Sequence, residues 1–192
     1  MKVYFIGAGP GDAELITVKG ARLTSECGVC IYAGSLVSKD ILKYCPANCE
    51  IYDSASLNLE QIMDIMKKAA DEDKSVARLH TGDPAVYGAI QEQMNELDKL
   101  EIEYEVVPGI TAVFAAGAAM MCELTSPEIS QTIVISRAEG RTPVPAAESL
   151  EKLSSHGGTF CFYLSVSMAE KITKAFIDNG WSENTPAVVA YR

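Results

Sequence analysis

The first segment that could bind a ligand is the glycine loop GAGPGD at residues 7–12, which follows a short apolar run near the amino terminus. A loop of this kind between a strand and a helix is where Rossmann folds hold a pyrophosphate. Here Pro10 has no N–H to donate, and Asp12 stands where the Rossmann fingerprint has glycine, so its carboxylate would repel a phosphate. The loop therefore indicates close backbone approach to a ligand other than a phosphate, unless its glycines serve only a tight turn.

Two further turns, TGDP at residues 81–84 and VPGIT at residues 107–111, each follow a predicted strand. Open α/β sheets bind ligands at the carboxyl ends of their strands, so these turns could line one crevice. Asp83 offers hydrogen-bond acceptors, which suit a ligand with ammonium and sulfonium charge. Gly109 permits close approach, and Thr111 could cap the next helix or bond to the ligand.

A polar loop at residues 137–147 contains two arginines, Arg137 and Arg141. Because guanidinium groups bind carboxylates through paired hydrogen bonds, these arginines could clamp the acidic side chains of a substrate. Arg78 and His80 approach the strand end that carries the TGDP turn, and we assign them to the same substrate-binding set. The alternative is an exposed loop whose charges are only solvated.

The six cysteines include the spacings Cys27-x-x-Cys30 and Cys45-x-x-x-Cys49, which could be two halves of a zinc site. Cys30 lies in an apolar run typical of a strand, where a free cysteine behaves as a small buried hydrophobe. We therefore favour unligated cysteines and predict no metal site. Six thiols without a secretion signal favour a cytoplasmic protein.

The overall charge excludes some classes of partner. A formal net charge of -10 and a pI near 4.7 oppose a nucleic-acid binder, which draws most of its affinity from basic surface. The apolar stretches fall short of the roughly 20 residues that cross a bilayer, so no membrane partner is expected. An anionic substrate would need a locally basic site, such as the arginine loop.

Hydrophobic periodicity and turn signals predict the elements that position these residues. In the first half, strands alternate with helices, which indicates a parallel α/β topology. The predicted strands there are residues 2–6, 28–33, 50–53, 75–79 and 103–107, and the predicted helices are residues 15–24, 38–44, 59–71 and 85–97. The second half begins with a predicted Ala-rich helix at residues 111–121.

The second half is predicted to contain strands at residues 131–136, 159–164 and 187–191 and helices at residues 150–154 and 168–179. We place a domain boundary near Pro108, which gives an N-terminal α/β domain at residues 1–108 and a C-terminal α/β domain at residues 109–192. Because the last predicted strand has no element after it, we expect the second domain to be incomplete in this chain.

Several motifs together resemble the tetrapyrrole methylases, and within that family the precorrin-4 and cobalt-precorrin-4 methyltransferases. TGDP and VPGIT are typical of the whole family, whereas YAGSLV and SRAEGRTPVP narrow the resemblance to the precorrin-4 branch. The resemblance implies a two-domain α/β homodimer that holds S-adenosylmethionine in a cleft between its domains. It also implies methyl transfer to carbon 11 of precorrin-4 or cobalt-precorrin-4 in cobalamin biosynthesis, with an anionic tetrapyrrole as substrate.

Carried over residue by residue, the resemblance implies a cofactor pocket of Pro10, Thr81, Gly82, Asp83, Val86, Tyr87, Thr111, Ala112, Leu164 and Ala187. No nucleophilic side chain is required, because the sulfonium is already a strong leaving group. Asp83 and Tyr87 are therefore positioning candidates, and no residue is assigned as a catalyst. The alternatives left open are another target within the family, such as a different precorrin carbon, uroporphyrinogen or diphthine, and a non-catalytic ligand-binding fragment.

Overall fold

A computed structural model describes residues 1–190 of the chain. The chain divides into two compact units, Met1–Ala115 and a second unit that begins at Ala116. The division falls a few residues after the predicted boundary at Pro108. None of the helices in the described part of the chain is long and apolar enough to cross a membrane.

The first unit is built on a parallel sheet of five strands. In chain order these are β1 (Val3–Gly7), β2 (Val29–Tyr32), β3 (Glu50–Asp53), β4 (Val76–His80) and β5 (Tyr104–Val107). Their order across the sheet is β3-β2-β4-β1-β5, so the strands that precede the three glycine turns, β4, β1 and β5, are neighbours. The α/β class and the parallel sheet predicted from the sequence are confirmed.

Helices cover both faces of this sheet, as expected for parallel strands whose two faces are buried. They are α1 (Val18–Glu26), α2 (Leu59–Asp71) and α3 (Gln91–Lys99), and α4 (Ala112–Ala119) follows β5. On one face, Leu23 of α1 shares an apolar cluster with Ile6 and Leu79. On the other face, Met66 of α2 and Leu97 of α3 share a second cluster, which includes the strand residues Val3, Phe5, Ile31 and Val76.

Helix α2 begins where the sequence predicts, because the residues that cap it, Asn58 and Gln61, are only three positions apart. The Asn58 side chain accepts a hydrogen bond from the Gln61 N–H, and the Gln61 side chain accepts one from the Asn58 N–H. The helix predicted at residues 15–24 begins later. Asp12 caps a short 3-10 turn at Ala13–Leu15, and Thr17 caps α1.

The helix predicted at residues 85–97 is wrong in its first part, because α3 begins only at Gln91. Tyr87 and Ala89 have positive φ angles of 56° and 49°, which a right-handed helix does not permit. Residues 85–90 therefore form an irregular segment after the TGDP turn. The helix predicted to start at residue 85 therefore starts only at Gln91.

The second unit contains the parallel strands β6 (Ile133–Ser136) and β7 (Thr159–Phe162) and the helices α5 (Leu150–Leu153) and α6 (Ala169–Asp178). Edge-to-face aromatic contacts join Phe160 and Phe176 to Trp181, whose indole N–H donates to the Ser154 carbonyl at 2.8 Å. The strand predicted at residues 187–191 is not formed at residues 187–190, and its last residue lies outside the described part of the chain.

Candidate functional site

The first two glycine turns are hydrogen-bonded to each other at the carboxyl edge of the sheet. The Gly9 N–H donates to the Gly82 carbonyl at 3.3 Å, and the Gly82 N–H donates to the Gly9 carbonyl at 2.8 Å. Both glycines have positive φ angles, 79° and 64°, which explains why glycine stands at each position. Turns that are far apart in the sequence therefore meet, as the sequence predicted for two turns in one crevice.

The third turn packs directly against the other two. A Cβ atom on Gly7 would lie 2.5 Å from the Gly109 Cα, and one on Gly109 would overlap the Gly82 carbonyl oxygen. These close approaches require glycine even where φ is ordinary. The three turns are thus packed against one another through their backbones at the carboxyl edge of the sheet.

Asp83 ties the second turn to the third through its carboxylate. One oxygen accepts a hydrogen bond from the Gly109 N–H at 2.9 Å, and the other accepts one from the Ala85 N–H at 2.8 Å. The sequence predicted Asp83 as a ligand acceptor, but it gave no sign of this structural role. Each carboxylate oxygen can accept more than one hydrogen bond, so capacity for a ligand remains.

Two polar atoms at the end of β4 are buried without a hydrogen-bond partner, the Thr81 Oγ1 and the His80 Nε2. Buried polar groups are nearly always paired with protein, water or a ligand. Thr81 directly follows β4 and precedes Gly82, so a ligand at the second turn could supply the partner that its hydroxyl lacks. Thr81 was predicted as a ligand-binding residue on the family resemblance.

The substrate-binding assignment of Arg78 and His80 is not supported by where they lie. Both are buried, with 5% and 4% of their surface exposed. The Arg78 guanidinium donates to the Gln93 Oε1 at 3.2 Å and to the Ile31 carbonyl at 3.4 Å, so it is held inside the sheet layer. Burial, together with the nearby Arg78 charge, lowers the pKa of His80 to about 3, so its imidazole is neutral.

The other predicted residues of the first unit surround the glycine turns. Thr111 is buried and its carbonyl accepts from the Phe114 N–H at 3.1 Å. Ala112, the first residue of α4, is exposed, and Tyr87 is 44% exposed. Pro10 is half-buried on the first turn, and Val86 is half-buried in the irregular segment after the second turn. Six of the ten predicted pocket residues thus lie on these three turns or directly after them, namely Pro10, Thr81, Gly82, Asp83, Thr111 and Ala112.

In the second unit, the arginine loop begins at the carboxyl end of β6. The Ala138 N–H donates to the Ser165 Oγ at 2.9 Å, which fastens the loop beside the segment that follows β7. Arg137 is half-buried, Arg141 is exposed, and Leu164 is 64% exposed with a φ angle of 54°. Arg137 and Leu164 therefore lie at neighbouring strand ends. Ala187 lies in an exposed segment without regular structure.

Asp53, the last residue of β3, has a structural role that the sequence analysis missed. Its carboxylate accepts from the Ala55 N–H at 2.9 Å and from the Gly34 N–H at 3.1 Å, and these bonds lower its pKa. Gly34 belongs to the YAGSLV motif, so Asp53 holds that turn in place. The signal is weak in the sequence because the two residues are 19 positions apart.

Comparison with known proteins shows which family this chain resembles. A model of the tetrapyrrole (corrin/porphyrin) methylases matches residues 2–192. The cobalt-precorrin-4 C(11)-methyltransferase of Methanocaldococcus jannaschii is 52% identical over 190 residues, which cover 99% of this chain and 73% of the relative.

Solved structures give the same result. The X-ray structure of a cobalamin biosynthetic enzyme, cobalt precorrin-4 methyltransferase, is similar with a TM-score of 0.91 and 48% identity over 95% of this chain and 76% of that one. A uroporphyrin-III C-methyl transferase from Thermus thermophilus, solved in complex with S-adenyl homocysteine, has a TM-score of 0.76 and 27% identity over 95% of this chain and 74% of its own. The chain therefore belongs to the tetrapyrrole (corrin/porphyrin) methylase family.

Proposed function

We propose that the chain is an S-adenosylmethionine-dependent methyltransferase that acts on carbon 11 of precorrin-4, in its cobalt-containing or cobalt-free form. The observation that carries the proposal is the 52% identity to the archaeal cobalt-precorrin-4 C(11)-methyltransferase over 99% of the chain. The arrangement of the glycine turns supports it, since they offer backbone and acceptor groups but no phosphate-binding lysine.

The residues at the edge of the first sheet fit this cofactor. The unpartnered Thr81 hydroxyl is available for a hydrogen bond, and the close contacts of Gly7, Gly82 and Gly109 hold the three turns together beside it. Asp83 adds negative charge beside these turns. When bound, S-adenosylmethionine would supply a methyl group on a positively charged sulfonium. We propose that it is held by Pro10, Thr81, Gly82, Asp83, Val86, Tyr87, Thr111, Ala112, Leu164 and Ala187.

Arg137 and Arg141 are proposed to bind the carboxylates of the tetrapyrrole. The chain carries a net charge of -10, so an anionic substrate needs local positive charge to offset the overall repulsion. Arg137 begins the loop that the Ala138 to Ser165 hydrogen bond fastens, which limits the conformations that its backbone can adopt. A loop held in this way loses less entropy when it binds substrate.

Methyl transfer requires that carbon 11 of the tetrapyrrole be aligned with the methyl group of S-adenosylmethionine. Holding two reactants in line can contribute roughly 7 to 11 kcal/mol in well-oriented systems. Asp83 contributes by fixing the second and third turns relative to each other. Tyr87 projects from the turn segment that follows, in a conformation with positive φ. We assign both as positioning residues and no side chain as a general base.

Two measurements test the proposal. Calorimetric titration with S-adenosylhomocysteine should show saturable binding, and absence of binding would contradict the cofactor assignment. Incubation with S-adenosylmethionine and either precorrin-4 or cobalt-precorrin-4 should add one methyl group, detected by mass spectrometry of the tetrapyrrole. Methylation of uroporphyrinogen instead, with precorrin-4 unchanged, would keep the chain in the family but reject this substrate.

We further infer that the protein is a cytoplasmic homodimer. All six cysteines are free in the structure, which agrees with a reducing compartment. The dimer is inferred from the family resemblance. Light scattering coupled to size exclusion measures the mass in solution, and a monomer mass across a tenfold range of concentration would reject the dimer.

A further inference from the structure

The segment at residues 85–90, which follows the TGDP turn, holds Tyr87 in an unfavourable backbone conformation. Tyr87 and Ala89 have positive φ angles of 56° and 49°, and neither is a glycine. Residues other than glycine keep such conformations only where the surrounding structure enforces them, and they are frequent at functional sites. We therefore expect specific contacts on both sides of Tyr87.

The first half of the segment is fixed by the TGDP turn itself. The Asp83 carboxylate accepts a hydrogen bond from the Ala85 N–H at 2.8 Å, and the Asp83 carbonyl accepts one from the Val86 N–H at 3.1 Å. Gly88 then packs on the buried Pro84, since a Cβ atom on Gly88 would overlap the Pro84 carbonyl oxygen. The chain has therefore folded back onto the TGDP turn by residue 88.

The second half of the segment is held by a buried side chain of α3. The Gln93 side-chain amide donates to the Ala89 carbonyl at 3.2 Å, and only 5% of the Gln93 surface is exposed. The Gln93 Oε1 accepts from the Arg78 Nε at 3.2 Å. An arginine can only donate and a backbone carbonyl can only accept, so a single orientation of the amide makes both bonds. Gln93 therefore links the segment to the interior of β4.

Arg78 anchors this link in the sheet. It lies on the same face of β4 as Val76, the face that α2 and α3 cover. Its guanidinium also donates to the Ile31 carbonyl of β2 at 3.4 Å. Burial lowers the pKa of Arg78 to about 10, so the group is still charged at neutral pH. Because a charged donor forms stronger hydrogen bonds than a neutral one, Arg78 holds Gln93 firmly against two interior strands.

We propose that Arg78 and Gln93 are positioning residues for methyl transfer, because they fix the turn that presents Tyr87 to the cofactor. The inference rests on the proposed function, in which Tyr87 contacts S-adenosylmethionine. Tyr87 is 44% exposed, so a ligand can reach its side chain. Arg78 and Gln93 are buried, and they act on the cofactor through the backbone of residues 85–90. Arg78 thus has an indirect role in place of the substrate contact predicted from the sequence.

The substitution Gln93→Glu separates the two bonds of Gln93. The carboxylate still accepts from the guanidinium, but it has no N–H to donate to the Ala89 carbonyl. Hydrogen exchange of the ligand-free chain, followed by mass spectrometry, should become about tenfold faster at residues 85–90 and stay unchanged in β2. The matched control is Gln91→Glu, which removes the amide donor of an exposed bond on the same helix. It should change exchange at residues 85–90 by less than about twofold.

The link to Tyr87 is tested by combining Gln93→Glu with Tyr87→Ala. In the wild-type background, Gln93→Glu should weaken the binding of S-adenosylhomocysteine about fivefold, measured by calorimetry. In the Tyr87→Ala background it should weaken binding by less than about twofold, because two changes that act through one side chain are not additive. A purely structural role for Gln93 would give the same loss in both backgrounds.

Unchanged exchange at residues 85–90 in Gln93→Glu, or equal losses of affinity in the two backgrounds, would overturn the proposal. Gln93→Asn has a side chain one methylene shorter and is the second variant if Gln93→Glu does not fold; it should also speed exchange at these residues. A wild-type chain that does not bind S-adenosylhomocysteine would reject the proposed function and the role of Tyr87 with it. The exchange measurement needs no ligand, so it still decides whether the buried pair holds the turn.

Discussion

The carboxylate of Asp83 accepts a hydrogen bond from the Gly109 N–H at 2.9 Å, although the two residues are 26 positions apart in the chain. The other carboxylate oxygen accepts from the Ala85 N–H, so one side chain orders its own turn and the turn after β5. The proposed cofactor surface therefore depends on a long-range hydrogen bond as well as on glycine.

Replacing Asp83 with Ala should weaken both folding and cofactor binding. Two backbone N–H groups lose a charged acceptor, which typically costs about 1.5 to 3 kcal/mol for such a bond. Urea denaturation measures the free energy of unfolding, and calorimetry measures the affinity for S-adenosylhomocysteine. Asp83→Asn keeps one oxygen acceptor and should lose less of both. An Asp83→Ala chain with wild-type affinity would contradict the role of Asp83 at the cofactor surface.

Replacing Gly109 with Ala should strongly destabilise the first unit. The added Cβ would overlap the Gly82 carbonyl, a backbone atom that is fixed by its bond to Gly9. Overpacking of this kind costs about 1 to 3 kcal/mol or more. Gly157→Ala is the matched control, since a Cβ there meets nothing within 4 Å, and it should change the unfolding free energy by less than about 1 kcal/mol. Equal effects of the two substitutions in thermal denaturation would refute this account.

Replacing Thr81 with Val should lower cofactor affinity without lowering stability. The Thr81 hydroxyl has no partner in the ligand-free protein, so its removal breaks no hydrogen bond and relieves a buried polar atom. If the hydroxyl bonds to S-adenosylhomocysteine, affinity should fall about tenfold, which corresponds to about 1.4 kcal/mol.

Thr24→Val provides the opposite control for Thr81. The buried Thr24 hydroxyl donates to the Gly20 carbonyl at 2.8 Å, on the α1 side of the sheet. That variant should lose about 1 kcal/mol of stability and keep its affinity. Loss of stability without loss of affinity in Thr81→Val would reverse the assignment.

Stability should fall between pH 7 and pH 5 in a way that depends on His80. Burial lowers the pKa of His80 to about 3 in the folded chain, whereas the unfolded chain has the ordinary value near 6.5. Below pH 6.5 the unfolded chain therefore binds a proton that the folded chain does not, and stability decreases until the pH nears 3. By linkage, the loss from His80 is about 2 kcal/mol at pH 5.

The pH prediction is checked by urea denaturation at pH 7 and pH 5. The chain with His80→Gln should lose less stability over this interval than the wild type, whatever its absolute stability. An identical loss in both proteins would show that the imidazole is not held neutral.

Replacing Arg137 with Gln should raise the KM for the tetrapyrrole while leaving the affinity for S-adenosylhomocysteine unchanged. Removal of a bidentate charged contact should raise KM about tenfold or more, because such contacts contribute about 1.5 to 3 kcal/mol. Arg141→Gln should act in the same direction. Arg22→Gln is a control, since Arg22 pairs with Glu26 on the surface of α1. Unchanged KM in both loop variants would reject the loop as a substrate site.

Local signals predicted much of the fold. The bounds of β3 and α2 agree with the prediction, because a short extended run and an Asn58–Gln61 capping box act within a few residues. The segment at residues 85–90 was predicted wrongly, since its apolar spacing suits a helix while Tyr87 and Ala89 adopt positive φ angles. Neither residue is a glycine, so no residue type in this segment signals a positive φ angle.

The sequence by itself determined the family, the parallel α/β class and the presence of three glycine turns at strand ends. These features depend on periodicity, turn residues and motifs, all of which are local in the chain. Only the tertiary structure decided that Arg78 and His80 are buried, that Asp83 reaches Gly109, and that Asp53 reaches Gly34. The physical reason is the strand order β3-β2-β4-β1-β5, which sets which distant residues become neighbours and which side chains face solvent.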